Sequence, residues 1–356
     1  MLRVGIIGCG GVSRNHIEAY QALADVDVVA VCDIDLARAT AVATEYGIAR
    51  AYGEVERLLS CGVDLVSVCT PHPTHEAVVL AAADAGVHVL CEKPIATDLE
   101  AAERMIAACD AADVAFGVFL QRRFWPAAKR MQEIILSGEI GSPMLGECTV
   151  LLDRNTAYFT RDPWRGKWAT DGGGVLMTQA IHHLDLLLWM MGEVVEVCGR
   201  IATFAHRDVI EVEDSAVATL TFASGAMATV QATTAASPSL GARVRVTTST
   251  GASIQLLEFP EGSDGRIDVW AQDGRIQAEE QYSLGVEPHV EMDEVNRGLA
   301  VHHAAQIFDF VAAVRASRVP SITGRDATDV LRVILAIYES ARSGKTIRLG
   351  AGVTSA

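Results

Sequence analysis

A glycine-rich segment near the start of the chain has the residue types and spacing of a phosphate-binding turn. The sequence GCGGVS begins at Gly8, follows an apolar strand pattern and precedes a helical pattern. Gly8 and Gly10 suit a tight turn and a close approach of the backbone to a pyrophosphate. Gly11, Val12 and Ser13 then lead into a helix N-terminus that faces the anion. Ser13 replaces the third glycine of the fingerprint and is small enough for close helix–strand packing.

One acidic residue ends the second strand pattern. Asp33 follows VVAVC about 20 residues after the last glycine position, where a carboxylate can accept hydrogen bonds from a ribose 2′-hydroxyl. A carboxylate repels a 2′-phosphate, and Ile34 supplies no cation to hold one, so the pattern favours NAD over NADP. The alternative is that Asp33 only caps the next helix.

Two loops follow later strands of the same half, CTPHPTH at 69–75 and CEKPIA at 91–96. Ligands of open α/β sheets bind outside the carboxyl ends of the strands. Lys93 is a lone cation before Pro94, which favours an extended conformation. At this edge its ammonium group can lie over a nicotinamide site, whereas the structural alternative is a solvated surface lysine.

A helical pattern over Val175–Met191 carries a second candidate group. Four residues at steps of four, three and four share one of its faces: Thr178, His182, Asp185 and Trp189. His182 titrates near neutral pH and suits proton transfer, although a helical histidine is more often structural. Three glycines, 172–174, indicate a flexible start to this helix.

The composition is that of a globular protein and excludes several classes. The chain has 356 residues, of which 50% are hydrophobic and 21% charged, with a formal net charge of −16. Nucleic-acid binding requires clustered basic residues, and none is seen. No apolar run approaches the roughly 18 residues of a membrane span, and no leader pattern is seen. We therefore expect a cytoplasmic protein, with its eight cysteines reduced and buried.

The order of patterns predicts two domains. Up to about residue 120, apolar strands alternate with helices, which predicts a doubly wound parallel α/β domain. Long β-prone segments follow and predict an α+β domain with a large, mainly antiparallel sheet, in which SGA at 224–226 is a hairpin turn. Closing helices are expected at 304–316 and 326–343. The predicted domains are 1–121 and 122–356, and the helix at about 326–343 is expected to pack back on the first.

Further motifs occur in order along nearly the whole chain. They are GCGGVS, TP…H at 70–75, EKP at 92–94, QRRFWPA, SGEIGSP, WRGKW, GGGVLMTQAIHHLDLLLWMMG, EDSAVATLTFASG and ITGRDATDVLRVILAIYESARSGK. Together they resemble the glucose-fructose oxidoreductase, inositol dehydrogenase and MocA family of nicotinamide-dependent oxidoreductases. The resemblance implies a Rossmann domain, an open mixed sheet in the second domain, and a homodimer or homotetramer assembled through that sheet. It also implies dehydrogenation or reduction of sugars and cyclitols.

The resemblance assigns the catalytic lysine of EKP to Lys93 and the acid–base group to His182. The two groups are expected to converge on one substrate oxygen. Contacts to NAD are expected from the two loops after the later strands, at Thr70, Pro71, His75, Glu92 and Lys93.

Thr178 departs from the family pattern, which usually has an aspartate four residues before the histidine. Threonine forms hydrogen bonds but holds neither a proton nor an anionic charge at pH 7. Some sugar-nucleotide dehydrogenases of the family also lack this aspartate. Thr178 is therefore kept as a catalytic candidate.

Substrate contacts are expected mainly from loops that flank the sugar site in relatives. The candidates are Arg123, Tyr158, Trp164, Arg165 and Asp185. The loop residues are equally compatible with surface or interface roles. Segment 153–168 has four cations and two acids, a local charge of +2 that tolerates an anionic sugar.

No metal site is expected, because adjacent histidines on a helix diverge and His72 and His75 lie in a Pro-rich loop. Two other functions remain open. The first is a catalytically silent NAD(P) sensor on the same fold, which Thr178 favours. The second is an NADP-dependent sugar–sugar oxidoreductase, which Asp33 disfavours.

Overall fold

The computed structural model describes residues 1–263, 266–270, 276–281 and 292–350. The chain divides into two units. Unit 1 comprises residues 1–121 and 299–328, and unit 2 comprises residues 122–298 and 329–356. Segment 299–328, which the sequence assigned to the second domain, thus groups with the first unit.

Short apolar segments form the sheet of unit 1. Its strands are β1 (Leu2–Ile7), β2 (Val26–Cys32), β3 (Arg50–Tyr52), β4 (Leu65–Val68), β5 (His88–Cys91) and β6 (Phe116–Val118). They pair in the order β3-β2-β1-β4-β5-β6, with every pair parallel. β4 is buried along its whole length, as a strand covered on both faces must be. The predicted doubly wound domain is confirmed, and its strand order reverses between β1 and β4, where ligands of this fold bind.

Helices connect these strands, and two of them begin at aspartate caps. They are α1 (Ser13–Gln21), α2 (Leu36–Tyr46), α3 (Val55–Leu59), α4 (His75–Asp84) and α5 (Leu99–Ala111). Asp35 accepts the N–H groups of Ala37 and Arg38 at the start of α2, and Asp98 accepts the N–H of Ala101 in α5.

The described residues of unit 2 form a nine-stranded sheet. After α6 (Pro126–Ser137) come β7 (Pro143–Leu151), α7 (Thr156–Thr160), α8 (Trp168–Asp171), α9 (Ile181–Met191), β8 (Val194–Ala202), β9 (Ser215–Phe222), β10 (Met227–Thr233), β11 (Gly241–Thr248), β12 (Ser253–Glu258), β13 (Arg266–Trp270) and β14 (Ile276–Gln281). Helices α10 (Met292–Ala316) and α11 (Gly324–Ser343), of which residues 299–328 belong to unit 1, and strand β15 (Ile347–Arg348) follow. The order is β14-β13-β12-β11-β7-β10-β9-β8-β15, in which only β7 and β10 pair in parallel. The mainly antiparallel sheet and the SGA hairpin are confirmed.

Two helix predictions need correction. The predicted helix over Val175–Met191 is not one α-helix, because Leu176–Ala180 forms a π-turn before α9 begins. The helix predicted from residue 304 begins earlier, at Met292. α9 packs on β7 and β11 and is buried on nearly all sides, so its sequence is apolar apart from a few polar residues.

All eight cysteines are free thiols, as expected. Six are buried, whereas Cys61 is half-buried and Cys198 is exposed, so the prediction of burial is wrong for these two. Within the described residues, no helix is both long and apolar enough to cross a membrane.

Candidate active site

The glycine turn of unit 1 has the geometry of a dinucleotide cradle. Gly8 has a φ of +94°, and a Cβ built there would lie 2.6 Å from the carbonyl oxygen of Cys69, so only glycine fits. A Cβ at Gly10 or Gly11 would instead meet no described atom within 4 Å. Open space over these two glycines leaves the backbone accessible to a pyrophosphate at the start of α1. The Ser13 hydroxyl donates to the carbonyl of Gly10 over 2.6 Å and closes the turn.

Asp33 is built into this turn. Its Oδ2 accepts the N–H of Cys9 over 2.9 Å, and its Oδ1 accepts the N–H of Asp35 over 2.9 Å. The alternative that Asp33 caps the next helix is wrong, because Asp35 caps α2. The guanidinium of Arg38 lies 3.3 Å from both oxygens of Asp33, a contact that sequence reasoning missed.

The loops after β4 and β5 are joined by one buried imidazole. Nδ1 of His75 lies 2.9 Å from the carbonyl oxygen of Pro94, and Nε2 lies 2.9 Å from that of Thr70. His75 thus ties the two loops together next to Pro71. The Thr70 hydroxyl is buried without a hydrogen-bond partner among the described residues, and a ligand at the carboxyl end of β4 would supply one. These features fit a dinucleotide.

Glu92 lies in a buried polar cluster immediately before Lys93. Nε2 of His16 lies 3.1 Å and Nε2 of His303 lies 3.6 Å from Oε1 of Glu92, while the Lys93 N–H donates to Oε2 over 3.2 Å. The aromatic ring of Phe119 packs against both imidazoles. Burial raises the pKa of Glu92, but the two histidines outweigh it, and the pKa lies well below the usual range. An ionised carboxylate therefore fixes the backbone at Lys93.

These three groups also form a set that sequence reasoning missed. The donor atoms of His16, Glu92 and His303 lie within 4.8 Å of one another, as the ligands of a metal ion do. Burial lowers the pKa of His16, so its imidazole is neutral and donates to the carboxylate. The separation of 76 residues between His16 and Glu92 left no local sequence signal for this contact.

In unit 2, Thr178 belongs to a polar chain that leads away from the π-turn. Its hydroxyl donates to the carbonyl of Gly174 over 2.8 Å and also contacts Oε1 of Gln179. Nε2 of Gln179 donates to the Tyr158 hydroxyl over 2.8 Å, and Arg165 donates to the same hydroxyl over 3.0 Å. The structure thus brings together three predicted residues through Gln179. Gln179 itself was not predicted. Its polarity within an otherwise apolar helical pattern is the sequence signal that could have indicated it.

His182 is 6% exposed near the start of α9. Its neighbours on the helix are held by ion pairs. Asp185 forms a bidentate pair with Arg123, with distances of 2.7 and 2.9 Å, and Arg123 stacks 5.4 Å from the ring centroid of Trp189. Arg123 and Asp185, both predicted to contact substrate, therefore bind each other and hold α9.

A second buried ion pair holds the other face of α9. Oε2 of Glu258 lies 2.8 Å from Nε2 of His183, and the Arg122 guanidinium lies 3.1 and 3.2 Å from the two carboxylate oxygens. Burial raises the pKa of Glu258, but Arg122 and the hydrogen bond from His183 outweigh it and lower that pKa to about 2. Of the two adjacent histidines, His183 is thus structural.

The cations of segment 153–168 are largely compensated. Arg154 pairs with Glu261, an acid outside the segment, and Arg165 pairs with Asp162 over 2.9 Å. The guanidinium of Arg165 also stacks 4.6 Å from the ring centroid of Trp164. The local charge of +2 is therefore smaller in the folded protein than in the sequence.

Comparison with known proteins identifies the class. Residues 2–120 match the oxidoreductase family with an NAD-binding Rossmann fold, and residues 128–254 match the GFO/IDH/MocA C-terminal domain. The chain belongs to the Gfo/Idh/MocA family of oxidoreductases, and NAD is its cofactor.

Individual relatives extend over the full chain. A D-apiose dehydrogenase of Paraburkholderia graminis is 28% identical over 97% of this chain and 88% of its own. A myo-inositol 2-dehydrogenase of Thermotoga maritima is 27% identical over 98% of both chains. The structure is also similar to that of the WlbA dehydrogenase of Bordetella pertussis with NADH and UDP-GlcNAcA, with 29% identity, a TM-score of 0.82 and 99% coverage of both chains. The chain is an NAD-dependent oxidoreductase.

Proposed function

We propose that this protein oxidises a secondary alcohol of a sugar, a cyclitol or a sugar derivative, with His182 as the general base and Lys93 as the group that stabilises the alkoxide. The observation that carries the proposal is the set of contacts made by the polar residues of α9. His183 contacts the buried carboxylate of Glu258 over 2.8 Å, and Asp185 forms a buried ion pair with Arg123. Of the polar residues on α9, His182 is the one that the family motif assigns to acid–base chemistry.

Two residues of this chain accept the hydroxyl proton and stabilise the negative charge that develops on the substrate oxygen. His182 accepts the proton of the substrate hydroxyl, and the Lys93 ammonium group donates a hydrogen bond to the same oxygen as negative charge develops. Bound NAD would supply the hydride acceptor for the carbinol carbon. In the reverse direction, His182 returns the proton and a ketone is reduced. General acid–base help of this kind contributes about 10²–10⁴-fold in rate.

Cofactor binding is assigned to the glycine turn and its neighbours. The backbone from Gly8 to Ser13 would hold the pyrophosphate, and Asp33 would accept the adenosine ribose hydroxyls. Thr70 would contact the cofactor through its buried hydroxyl. Glu92 and His75 would act by shaping the loops that carry Lys93.

Substrate recognition is assigned to the polar chain that begins at Thr178. The Tyr158 hydroxyl, the Gln179 amide and the Arg165 guanidinium offer both donors and acceptors, as sugar hydroxyls require. The relatives act on D-apiose and myo-inositol, and the similar dehydrogenase of Bordetella pertussis was crystallised with an anionic sugar nucleotide. We therefore place the substrate among polyhydroxylated rings.

Assembly is assigned to the outward face of the unit 2 sheet. Leu145 and Met227, which pair across β7 and β10, are 47% and 58% exposed on this face. Val217 of β9 is 53% exposed on the same face, four residues from Thr221, the β9 partner of Met227. Apolar exposure of this kind marks interaction surfaces, and we propose a homodimer or homotetramer formed here. The free thiols favour a reducing cytoplasmic location, and the net charge of −16 disfavours nucleic-acid binding.

A spectrophotometric screen tests the function. Inositols, D-apiose, aldoses, uronic acids and UDP-N-acetylglucosaminuronic acid are each incubated with NAD or NADP, and reduction is followed at the nicotinamide absorbance. We expect at least one compound to reduce NAD, and NADP to react more slowly because Asp33 repels a 2′-phosphate. Lys93→Met should lower turnover by about 10²-fold or more, while the exposed Lys345→Met should match the wild type.

Binding of NAD without reduction by any compound would support the silent sensor and contradict the proposal. Preference for NADP would contradict the role of Asp33.

A further inference from the structure

The residues before α9 are held by a single glutamate from a distant part of the sequence. Glu213, which immediately precedes Asp214 and β9, is 2% exposed. Its Oε2 accepts the N–H of Gly174 over 2.8 Å, its Oε1 accepts that of Leu176 over 3.0 Å, and its backbone carbonyl accepts that of Val175 over 3.1 Å. Three successive N–H groups at the start of the helical segment, which would otherwise lack partners, thus donate to one residue.

We call the contacts of Glu213 with residues 174–176 the anchor. A tyrosine completes it. The Tyr338 hydroxyl, on α11, donates to Oε1 of Glu213 over 2.8 Å. A Cβ at Gly173 would lie 2.1 Å from this hydroxyl oxygen, and a Cβ at Gly174 would lie 1.7 Å from the Glu213 carbonyl oxygen. The glycines therefore serve close approach of the anchor, whereas the sequence suggested a flexible start to the helix.

The anchor is connected to the candidate catalytic residues through one residue, Gly174. The N–H of Gly174 binds Glu213, and its carbonyl accepts both the Thr178 hydroxyl over 2.8 Å and the Thr178 N–H over 3.0 Å. A shift of Gly174 would therefore move Thr178 and the π-turn that precedes His182.

We propose that Glu213 is a positioning residue: its carboxylate holds the start of the helical segment so that Thr178 and His182 keep their places for catalysis. The inference rests on the proposed role of His182. It assigns no chemical step to Glu213 itself.

The charge of this carboxylate changes within the working pH range. Burial raises the pKa of Glu213 to about 7, against the hydrogen bonds from Leu176, Gly174 and Tyr338, which lower it. The ionised form accepts hydrogen bonds at both oxygens, whereas the protonated form carries a proton on one of them and loses part of its acceptor capacity. Tyr338 is the titratable group that contacts Glu213, and Asp171 of α8 lies near the Tyr338 hydroxyl. Both stay unchanged when only Glu213 is substituted.

Hydrogen exchange of the full-length protein tests the anchor without any substrate. In Glu213→Gln, an amide NH₂ replaces one acceptor oxygen, and we expect the amides of residues 174–178 to exchange about tenfold faster or more. Asp214→Asn is the matched control, because Asp214 is also fully buried and accepts three backbone N–H groups, but those of residues 204–206. It should speed exchange there and leave 174–178 unchanged.

Turnover tests the consequence for catalysis, with NAD and the compound that the wild type oxidises fastest in the screen. Glu213→Gln should lower kcat about tenfold or more at pH 8, with the dissociation constant for NAD within about twofold of the wild type. The ratio of wild-type to variant kcat should rise by about tenfold from pH 6 to pH 8, because the ionised fraction of a group with a pKa of about 7 rises by that factor. A group that served stability alone would give a ratio independent of pH.

A second pair of variants keeps the test decisive if Glu213→Gln fails to fold. Tyr338→Phe removes one donor to Glu213 and should speed exchange at 174–178. Ser340→Ala, on the same helix, removes a buried hydroxyl that contacts Gly199 and Lys345, and should not.

Wild-type exchange at 174–178 in both Glu213→Gln and Tyr338→Phe would overturn the anchor. A kcat ratio near one at every pH would overturn its role in catalysis. Full turnover by His182→Asn would instead overturn the proposed function. The hydrogen-exchange data would still test whether Glu213 holds residues 174–178, because they need no substrate.

Discussion

Glu213 and Glu258 are glutamates buried in unit 2, and both contact the segment that carries His182. Glu213 accepts hydrogen bonds from backbone N–H groups and the Tyr338 hydroxyl, and burial raises its pKa to about 7. Burial also acts on Glu258, but the Arg122 guanidinium and His183 outweigh it and lower the pKa to about 2. The pKa values of the two carboxylates are therefore shifted in opposite directions.

The difference shows that the kind of donor, rather than the depth of burial, decides the charge of a buried acid. A cationic partner keeps a carboxylate ionised in a low-dielectric interior. Neutral hydrogen-bond donors offset less of the cost of burial, so the pKa of the Glu213 carboxyl group stays near 7. Glu258 is thus a permanent anchor for α9, and Glu213 is an anchor whose strength varies with pH.

Loss of the cation at Glu258 should give the largest effect on stability. Arg122→Met leaves a carboxylate that is 1% exposed without its strongest partner, and we expect the free energy of unfolding to fall by about 3–5 kcal/mol. Urea denaturation followed by circular dichroism measures this change.

The control is an ion pair at the surface. Arg315 pairs with Asp25 over 2.7 Å, with the two side chains 37% and 63% exposed, so Arg315→Met should cost about 0–1 kcal/mol. Equal losses in the two variants would remove the distinction between a buried charge pair and a surface one.

The pH dependence of stability should separate the two glutamates next. The pKa of Glu213 is raised by folding, so its contribution to the free energy of unfolding is fully present below pH 4.5 and is lost as the pH rises through about 7. Ionisation thus lowers global stability through the cost of burying the charge, although the ionised carboxylate accepts hydrogen bonds at both oxygens. The stability of the wild type minus that of Glu213→Gln should fall by about 3 kcal/mol between pH 4.5 and 8. Urea titrations at four pH values in this interval measure the slope.

Glu258 should behave in the opposite way. Its pKa is lowered by folding, so its contribution is present above pH 4.5 and is lost as the pH falls towards about 2. The difference between the wild type and Glu258→Gln should therefore stay flat from pH 6 to 8. A parallel slope for both variants would show that the donors do not set the two pKa values.

The sequence was sufficient for much of the fold. Continuous apolar strands and glycine turns are local signals, and they predicted the parallel sheet, the phosphate-binding turn and the SGA hairpin. The π-turn at Leu176–Ala180 was not predicted, because helical spacing of apolar residues does not distinguish it from an α-helix. The parallel pairing of β7 with β10 joins strands about 80 residues apart and has no local signal.

The candidate site shows the same limit. Lys93, His182 and Asp33 lie in recognisable motifs, so residue type and spacing indicated them. Glu213 is separated from Gly174 by 39 residues and from Tyr338 by 125, and its role depends on that packing. Arg38 also required the structure, because only the turn of α2 brings its guanidinium to Asp33.

Turnover by His182→Asn tests the account most directly. Asparagine keeps a hydrogen-bonding side chain on α9 but removes the imidazole that accepts the proton in the proposed mechanism. The account predicts that turnover falls by about 10²–10⁴-fold while the dissociation constant for NAD, measured by calorimetry, stays within about twofold of the wild type. Turnover at the wild-type rate with NAD bound normally would contradict it.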